Sequence, residues 1–190
     1  MKGSAVAAGR SLSKLPKIAE ARKLIDVGGG SGGLAIALCE EHPLLHATVV
    51  ELPSVVPITA QAVEESGLAD RINVTTADIV NNPLEGEYDI VTTRALFQVL
   101  SAEQSGRAAR NIGAGLASGG TLFILGMVLD DSHLSPIPSV GMNLIFMNMF
   151  DDGQAYTESE YRSWLKDAGF TDISREPHLM GYSLISARKT

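Results

Sequence analysis

Five glycines fall within six residues, at Gly28, Gly29, Gly30, Gly32 and Gly33, with Asp26 two positions ahead of them and Ser31 among them. Glycine permits positive φ and lets a ligand press against bare backbone. A helix opening after Ser31 would aim unpaired N–H groups at whatever sits there. These residue types in this order suit a nucleotide-binding turn.

Two spacings overlap in the turn. Gly28, Gly30 and Gly33 satisfy the GxGxxG of dinucleotide sites, while Asp26, Gly28, Gly30 and Gly32 satisfy the DxGxGxG of S-adenosylmethionine sites. Asp26 helps to choose. At the end of a strand its carboxylate is expected to point towards the crevice, repelling a pyrophosphate and attracting a ligand that carries an ammonium and a sulfonium, directly or through water. The alternative is that Asp26 only holds the turn by hydrogen bonds. Glu51 ends the apolar run from His46, 23 residues beyond Gly28, where an acid accepts bonds from ribose hydroxyls in either kind of ligand.

The elements that must position these residues follow from the apolar pattern. A strand from Lys23 runs into the glycine turn, and the helix after it closes at His42-Pro43. A second strand at 46–52 leads to a helix ending near Gly67. Arg71 to Asp78 and Tyr88 to Thr93 read as the third and fourth strands. Ser101-Ala-Glu-Gln104 is a capping box opening a helix to about Leu116, and Gly120 to Leu125 is the fifth strand. Short apolar strands alternating with helices imply a parallel sheet covered on both faces, with ligands outside the strands' carboxyl ends. Asp26 to Gly32, Glu51, Asp78 and Arg94 should therefore converge.

Thr157-Glu-Ser-Glu160 is a second capping box, for a helix with Tyr161, Trp164, Leu165 and Ala168 on its buried stripe and Gly169 as its stop. Residues 170–176 and 182–188 then read as an antiparallel pair at the sheet's edge, an ending that suits a methyltransferase better than a second dehydrogenase half. Residues 1–22 form a helix through Leu12 and Leu15 until Pro16 interrupts it, and this start is expected to pack poorly by itself.

With 190 residues, 45% of them apolar and 19% charged, the chain suits one α/β domain. A net charge of -7 disfavours nucleic acid and anionic membranes as partners, leaving small molecules. Cys39 alone makes neither a disulfide nor a thiolate metal cluster, so a buried structural thiol is expected and no metal. No run reaches transmembrane length and the first residues are too weakly apolar for a signal peptide, which makes the cytoplasm the expected location.

Taken together, Leu24 to Gly32, Val50 to Val55, Tyr88 to Val91, and Tyr156 to Tyr161 with Ala168-Gly-Phe170 resemble the catalytic domain of small-molecule O-methyltransferases, the plant caffeate type and their bacterial polyketide-tailoring relatives. The resemblance implies a Rossmann-like class I methyltransferase fold with a mostly parallel seven-stranded sheet and a terminal antiparallel strand. It implies S-adenosyl-L-methionine as cofactor, with Gly28, Gly30 and Gly32 cradling the methionine part and Glu51 with Leu52 at the ribose. Asp78 and Ile79 would frame the adenine, and Arg94 would lie against the cofactor. It further implies a preceding dimerisation domain, so that residues 1–22 lead from that domain, 23–190 form the catalytic domain and the full protein is a homodimer.

One departure bears on mechanism. Where the family carries a His-Asp-Trp triplet whose His takes the substrate proton, this sequence has Gln98, Val99 and Leu100, and the two acids that steady that His align with Gly126 and Ala155. A carboxamide orients a hydroxyl but accepts no proton near pH 7. The acceptor must then bring its own nucleophile, with Gln98 as positioner. His133, Tyr156, Asp151 and His178 are substitute bases in principle, each more simply read as a loop or capping residue. The run Gly141 to Phe150 is either ordinary core or a deformable pocket for a flat aromatic ligand, in which Met142, Phe146 and Met149 would touch the acceptor. Asp130 to Pro138 before it is a lid or a plain connection.

The expectation is methylation of a small hydroxylated aromatic metabolite at oxygen. Its alternatives are a diverged relative that binds the cofactor without methylating, as a hydroxylase or decarboxylase or an inactive protein, and a nicotinamide oxidoreductase, which Asp26 and the terminal strand pair disfavour. Nucleic-acid amine methylation would need an Asn or Asp-Pro-Pro-aromatic element where Thr92-Thr-Arg-Ala95 stands.

Overall fold

Lys23–Val27 forms β1, and from Leu24 onwards every residue in it is buried, as expected of a strand covered on both faces. The structure, a computed structural model, describes residues 2–190, the side chains of Lys2 and Met180 excepted. The other strands are β2 (His46–Glu51), β3 (Ile72–Thr76), β4 (Tyr88–Arg94), β5 (Leu116–Gly126), β6 (Phe170–Pro177) and β7 (Ser183–Lys189). They make one seven-stranded sheet in the order β3-β2-β1-β4-β5-β7-β6. The first five strands pair in parallel, and β7 runs antiparallel to both β5 and β6. Strand order reverses between β1 and β4, which places a crevice at their carboxyl ends. There Val27 lies abreast of Val50 on one side and Thr93 on the other.

The helices are α1 (Lys2–Leu12), α2 (Pro16–Glu20), α3 (Gly33–Glu41), α4 (Val56–Ser66), α5 (Ala102–Ala114), α6 (Ile137–Met149) and α7 (Glu158–Asp167). Two cores sandwich the sheet. One joins Leu24 and Val49 to Leu12, Ile18, Leu34 and Val63, and the other joins Ile25 and Val91 to Ala108, Ile112, Tyr161 and Leu165. Both capping boxes form, Ser101 with Gln104 and Thr157 with Glu160, and Gly67 ends α4 in the left-handed region.

Four details differ from the sequence reading. The first residues do not pack poorly: Leu12 and Ile18 are fully buried, and α1 approaches α3 so closely that a Cβ on Gly9 would stand 2.7 Å from the Leu34 carbonyl oxygen. Ala5, Ala8 and Gly9 look weakly apolar in sequence, yet their small size is what permits the contact. α1 stops at Leu12, so Leu15 lies outside it and Pro16 does not end it; Pro16 instead opens α2 at its first position, where its missing N–H costs nothing. β3 stops at Thr76, since Asp78 folds back to accept bonds from the Val80 N–H at 3.0 Å and the Asn81 side chain at 2.7 Å. β5 begins earlier than expected, at Leu116 opposite Tyr88, with a register shift before Ile90.

Arg175 on β6 fixes the chain leaving β5. Its guanidinium donates to the carbonyls of Val128 at 2.9 Å and Leu129 at 3.2 Å and pairs with Glu158 at 3.3 Å. Among the described residues no helix is long and apolar enough to cross a membrane.

Candidate cofactor and acceptor site

The chain leaves β1 through three left-handed glycines, Gly28 at φ +70, Gly30 at +58 and Gly32 at +70, and Gly33 is already the first residue of α3. The special positions thus follow the alternate spacing that begins with Asp26, whereas the third glycine of the dinucleotide pattern is an ordinary helical residue. At Gly29 a Cβ would fall 2.6 Å from Asp26 Oδ2 and 2.6 Å from Val49, so the turn rests directly on β1 and β2. The Gly30 N–H donates to Glu51 Oε1 at 2.6 Å, and Glu51 Oε2 accepts from the Leu52 N–H at 3.0 Å. Thr59 on α4 donates to the Gly30 carbonyl and ties the tip of the turn down.

These contacts decide what the turn can hold. A phosphate bound here would need the backbone N–H groups free, and the one on Gly30 already faces a carboxylate. Each Glu51 oxygen spends one acceptor site on the backbone and keeps another for hydroxyls, as a ribose requires.

A cavity of 430 Å³ opens beside the turn, within the range of small-molecule sites. Gly28, Glu51, Leu52, Asp78, Ile79 and Arg94 all line it, as the sequence reading requires. Asp26, Gly30 and Gly32 are not among the residues that line it. Gly30 nevertheless faces open space, since a Cβ there would meet nothing within 4 Å. The walls are apolar, from Val27, Val50, Ile79, Leu96 and Leu100, with carboxylates at Glu51 and Asp78 and guanidiniums at Arg94 and Arg107. A purine between apolar walls, a ribose at an acid and a cationic tail over the glycines match this lining, so the residues present fit S-adenosylmethionine.

Asp26 takes a different place from the one expected. It does not project into the cavity but lies fully buried under the turn, with Oδ1 accepting from Thr92 Oγ1 at 2.8 Å and Oδ2 unpaired among the described residues. Burial pushes its carboxyl up to about 7; the Thr92 bond opposes this, nearby Glu51 adds to it, and Arg94 again opposes. Arg94 is steadied from two sides, donating to Ser4 Oγ of α1 at 2.9 Å and lying 5.3 Å over the Tyr182 ring.

Gln98 sits in a 3-10 turn, Phe97–Val99, and is fully buried. Its neighbours Val99 and Leu100 line the cavity and it does not. Met142 is half-buried, Phe146 packs with Met127, Leu129 and Ala155 in a small third core, and Met149 is 67% exposed. None of the three reaches the cavity wall. Of the substitute bases, His133 and Asp151 are exposed, and Tyr156 donates its hydroxyl to the Leu100 carbonyl at 2.6 Å. His178 is half-buried beside Arg94, Leu125 and Tyr182, and burial holds its imidazole below the usual histidine range. The loop from Asp130 is tied to itself, Asp130 accepting from the hydroxyls of Ser132 and Ser135. Cys39 is buried, with its thiol pushed up to about 11 by burial, as suits a structural residue.

Residues 1–171 match the O-methyltransferase domain family. The chain belongs to that family. This O-methyltransferase domain is 32% identical over 166 residues to a 3-hydroxy-5-methyl-1-naphthoate 3-O-methyltransferase of Streptomyces sahachiroi, covering 86% of this chain and 47% of that protein. It is 28% identical to a tetracenomycin polyketide synthesis 8-O-methyl transferase of Streptomyces glaucescens, covering 87% of this chain and 48% of that protein. The domain therefore spans about half the length of these curated relatives. An O-methyltransferase family protein from Burkholderia thailandensis superposes with a TM-score of 0.91 at 21% identity, over 100% of this chain and 57% of that one. Human N-acetylserotonin methyltransferase in complex with SAM superposes at 0.80 and 21%, over 100% of this chain and 56% of that one. At such identities the two structures speak for the class I methyltransferase fold.

Within the domain, sequence reasoning missed Leu96, Val99, Gln104 and Arg107, which supply the cavity's remaining side. The available signal was spacing: Gln104 and Arg107 are three apart on a helix whose capping box places its first turn at the crevice, so both share one face.

Proposed function

We propose that this domain binds S-adenosyl-L-methionine and methylates an oxygen of a small hydroxylated aromatic compound that arrives already nucleophilic. The single observation carrying the cofactor half is the Gly30 N–H to Glu51 bond, which spends a phosphate-binding donor on a carboxylate and leaves an acidic, ribose-accepting turn. The glycine turn and Glu51 would hold the methionine part and ribose, Asp78 and Ile79 the adenine end, and Arg94 the near side. The sulfonium supplies an activated methyl group.

The acceptor half follows from the residues absent as well as those present. With Gln98, Gly126 and Ala155 where the family has its base and two acids, no side chain at those positions takes a proton near pH 7. An ionised phenol or enol oxygen forms its bond to the methyl carbon as the carbon–sulfur bond breaks, the electron pair staying on sulfur, so the charges of anion and sulfonium cancel. In-line positioning alone contributes about 7 kcal/mol or more to such a step. Gln98, buried next to the cavity-lining Val99 and Leu100, is read as the group that orients the acceptor, while Met142, Phe146 and Met149 stand outside the cavity and have no part in that reading. The hydroxynaphthoate relative supports a flat, acidic, hydroxylated ring as acceptor.

The same reading extends to partners. Leu144, Ile145, Met147 and Met149 leave an apolar face of α6 between 46% and 67% exposed, and the longer relatives have chain to cover one. We read that face as closed in the full protein by a preceding segment and a second copy, in a cytoplasmic homodimer.

Incubation with methyl-labelled cofactor and 3-hydroxy-1-naphthoate tests the function. Label in the ether product and one equivalent of demethylated cofactor are expected. Cofactor bound but never consumed across a panel of acidic phenols would favour the diverged, non-methylating alternative.

A further inference from the structure

Beside the end of β5 lie two buried polar groups that no bond accounts for. Gln98 is fully buried, and neither its Oε1 nor its Nε2 meets a partner among the described residues; the hydroxyl of Tyr161, a residue 1% exposed on α7, is in the same condition. Buried polar groups are nearly always bonded, so a cluster of exceptions asks for a purpose. The two flank one spot. A Cβ built on Gly126 would stand 3.3 Å from Tyr161 Oη and 3.6 Å from Gln98 Oε1. By the resemblance, an acid that steadies the family's His would occupy that spot, and here a glycine leaves the space to the tyrosine.

Chemistry and mobility set the direction of the contact. The Tyr161 ring is held edge-on by Phe97 at 5.5 Å, Trp164 at 5.4 Å and Tyr156 at 6.5 Å, which fixes its oxygen. The terminal torsion of a glutamine is broad, so the carboxamide is the part that turns. Burial drives the Tyr161 phenol far above its ordinary range, and it stays an O–H donor throughout the working pH range. A phenol oxygen also accepts, but Oε1 is the Gln98 atom on the Gly126 side, where Tyr161 Oη lies, and a carboxamide offers an O–H donor only its oxygen.

We propose that Tyr161 is a positioning residue for Gln98: its O–H engages Oε1, fixes which way the buried carboxamide faces, and leaves the Nε2 hydrogens as its one free donor. Held this way, Gln98 donates and does not accept. It favours an ionised acceptor oxygen, since a hydrogen bond to an anion is roughly twice as strong as one between neutral groups. The inference rests on the reading of Gln98 given above and adds to it the residue that sets its orientation.

Two measurements on the 15N-labelled chain test this without an acceptor. The side-chain amide pair of Gln98 is assigned by its loss in Gln98→Met. Tyr161→Phe is expected to move that pair, whereas Tyr156→Phe, whose hydroxyl serves the Leu100 carbonyl, leaves it in place. In urea unfolding, Tyr161→Phe is expected to lower the folding equilibrium constant about fivefold to tenfold in the natural background and far less in Gln98→Met, as one shared hydrogen bond requires. An unmoved Gln98 pair together with additive stability effects would overturn the proposal. Calorimetry with S-adenosylhomocysteine on the same samples separates the two levels: unaltered uptake in Tyr161→Phe is expected, while no uptake by the unaltered protein would remove the functional reading and leave the Gln98–Tyr161 contact standing.

Discussion

At Asp26 the fold tolerates an unfavourable group. Burial under the turn disfavours the charge and pushes its carboxyl from the ordinary 3.8 up to about 7 in the folded chain. The folded state therefore holds the proton more tightly than the unfolded chain does. Asp26 is neutral in both states below pH 3.8, and its contribution falls as pH rises from there to about 7 and is level above that. At 1.36 kcal/mol per pH unit the loss is of order 4 kcal/mol. Urea unfolding without added ligand should show Asp26→Asn more stable than the natural chain at pH 8, with the difference gone near pH 4. Affinity for S-adenosylmethionine should move oppositely, falling in the Asn variant, since a sulfonium nearby favours the ionised form. Gly30→Ala separates space from strain: it costs about 1–2 kcal/mol of stability through its left-handed φ of +58, and its new methyl points where nothing of the protein stands, so cofactor affinity should fall by far more. Asp26 and the alternate glycines were legible in sequence because spacing alone defines them. That Asp26 would lie beneath the turn was not, because burial is set by Val49 and Gly29 closing over it from two separate segments.

Element by element, the crevice is made where strand ends meet helix starts. The Ser101 cap of α5 holds the turn that presents Gln104 and Arg107 to the cavity, with the Gln104 N–H bonded to Ser101 Oγ at 3.2 Å and the Ser101 N–H to Gln104 Oε1 at 2.8 Å. Ser101→Ala should cost about 1 kcal/mol of stability by thermal unfolding and weaken S-adenosylhomocysteine binding in calorimetry, since the frayed turn is a wall of the site. Both capping boxes, the parallel run of strands and the terminal antiparallel pair could be read beforehand, because local chemistry and apolar runs determine them, whereas the order of the strands in the sheet was not read. The docking of α1 was hidden, as its contact uses Ala5, Ala8 and Gly9, residues whose smallness gives no hydrophobic signal. Placing α6 was equally beyond the sequence: Phe146 turns inwards on Met127 and Leu129 while Met149 turns out, and only the path of the chain after β5, held by Arg175, decides which face meets the domain.

For the whole molecule, the homodimer proposed above makes a prediction at the exposed apolar face of α6. Sedimentation of this chain should show concentration-dependent association that Leu144→Lys with Met147→Lys abolishes, while the circular dichroism of the doubly substituted chain stays unchanged. In the crevice at the head of β1 an acid occupies the glycine turn's own N–H, and the cavity beside it suits a nucleoside with a cationic, phosphate-free tail. The most direct measurement is calorimetric titration of the chain at pH 7.5 with S-adenosylmethionine and, separately, with NADH. Saturable uptake of one S-adenosylmethionine per chain, weakened at least tenfold by Glu51→Gln, with no heat from NADH, is the predicted result. Tight NADH binding with no response to the sulfonium compound would contradict it.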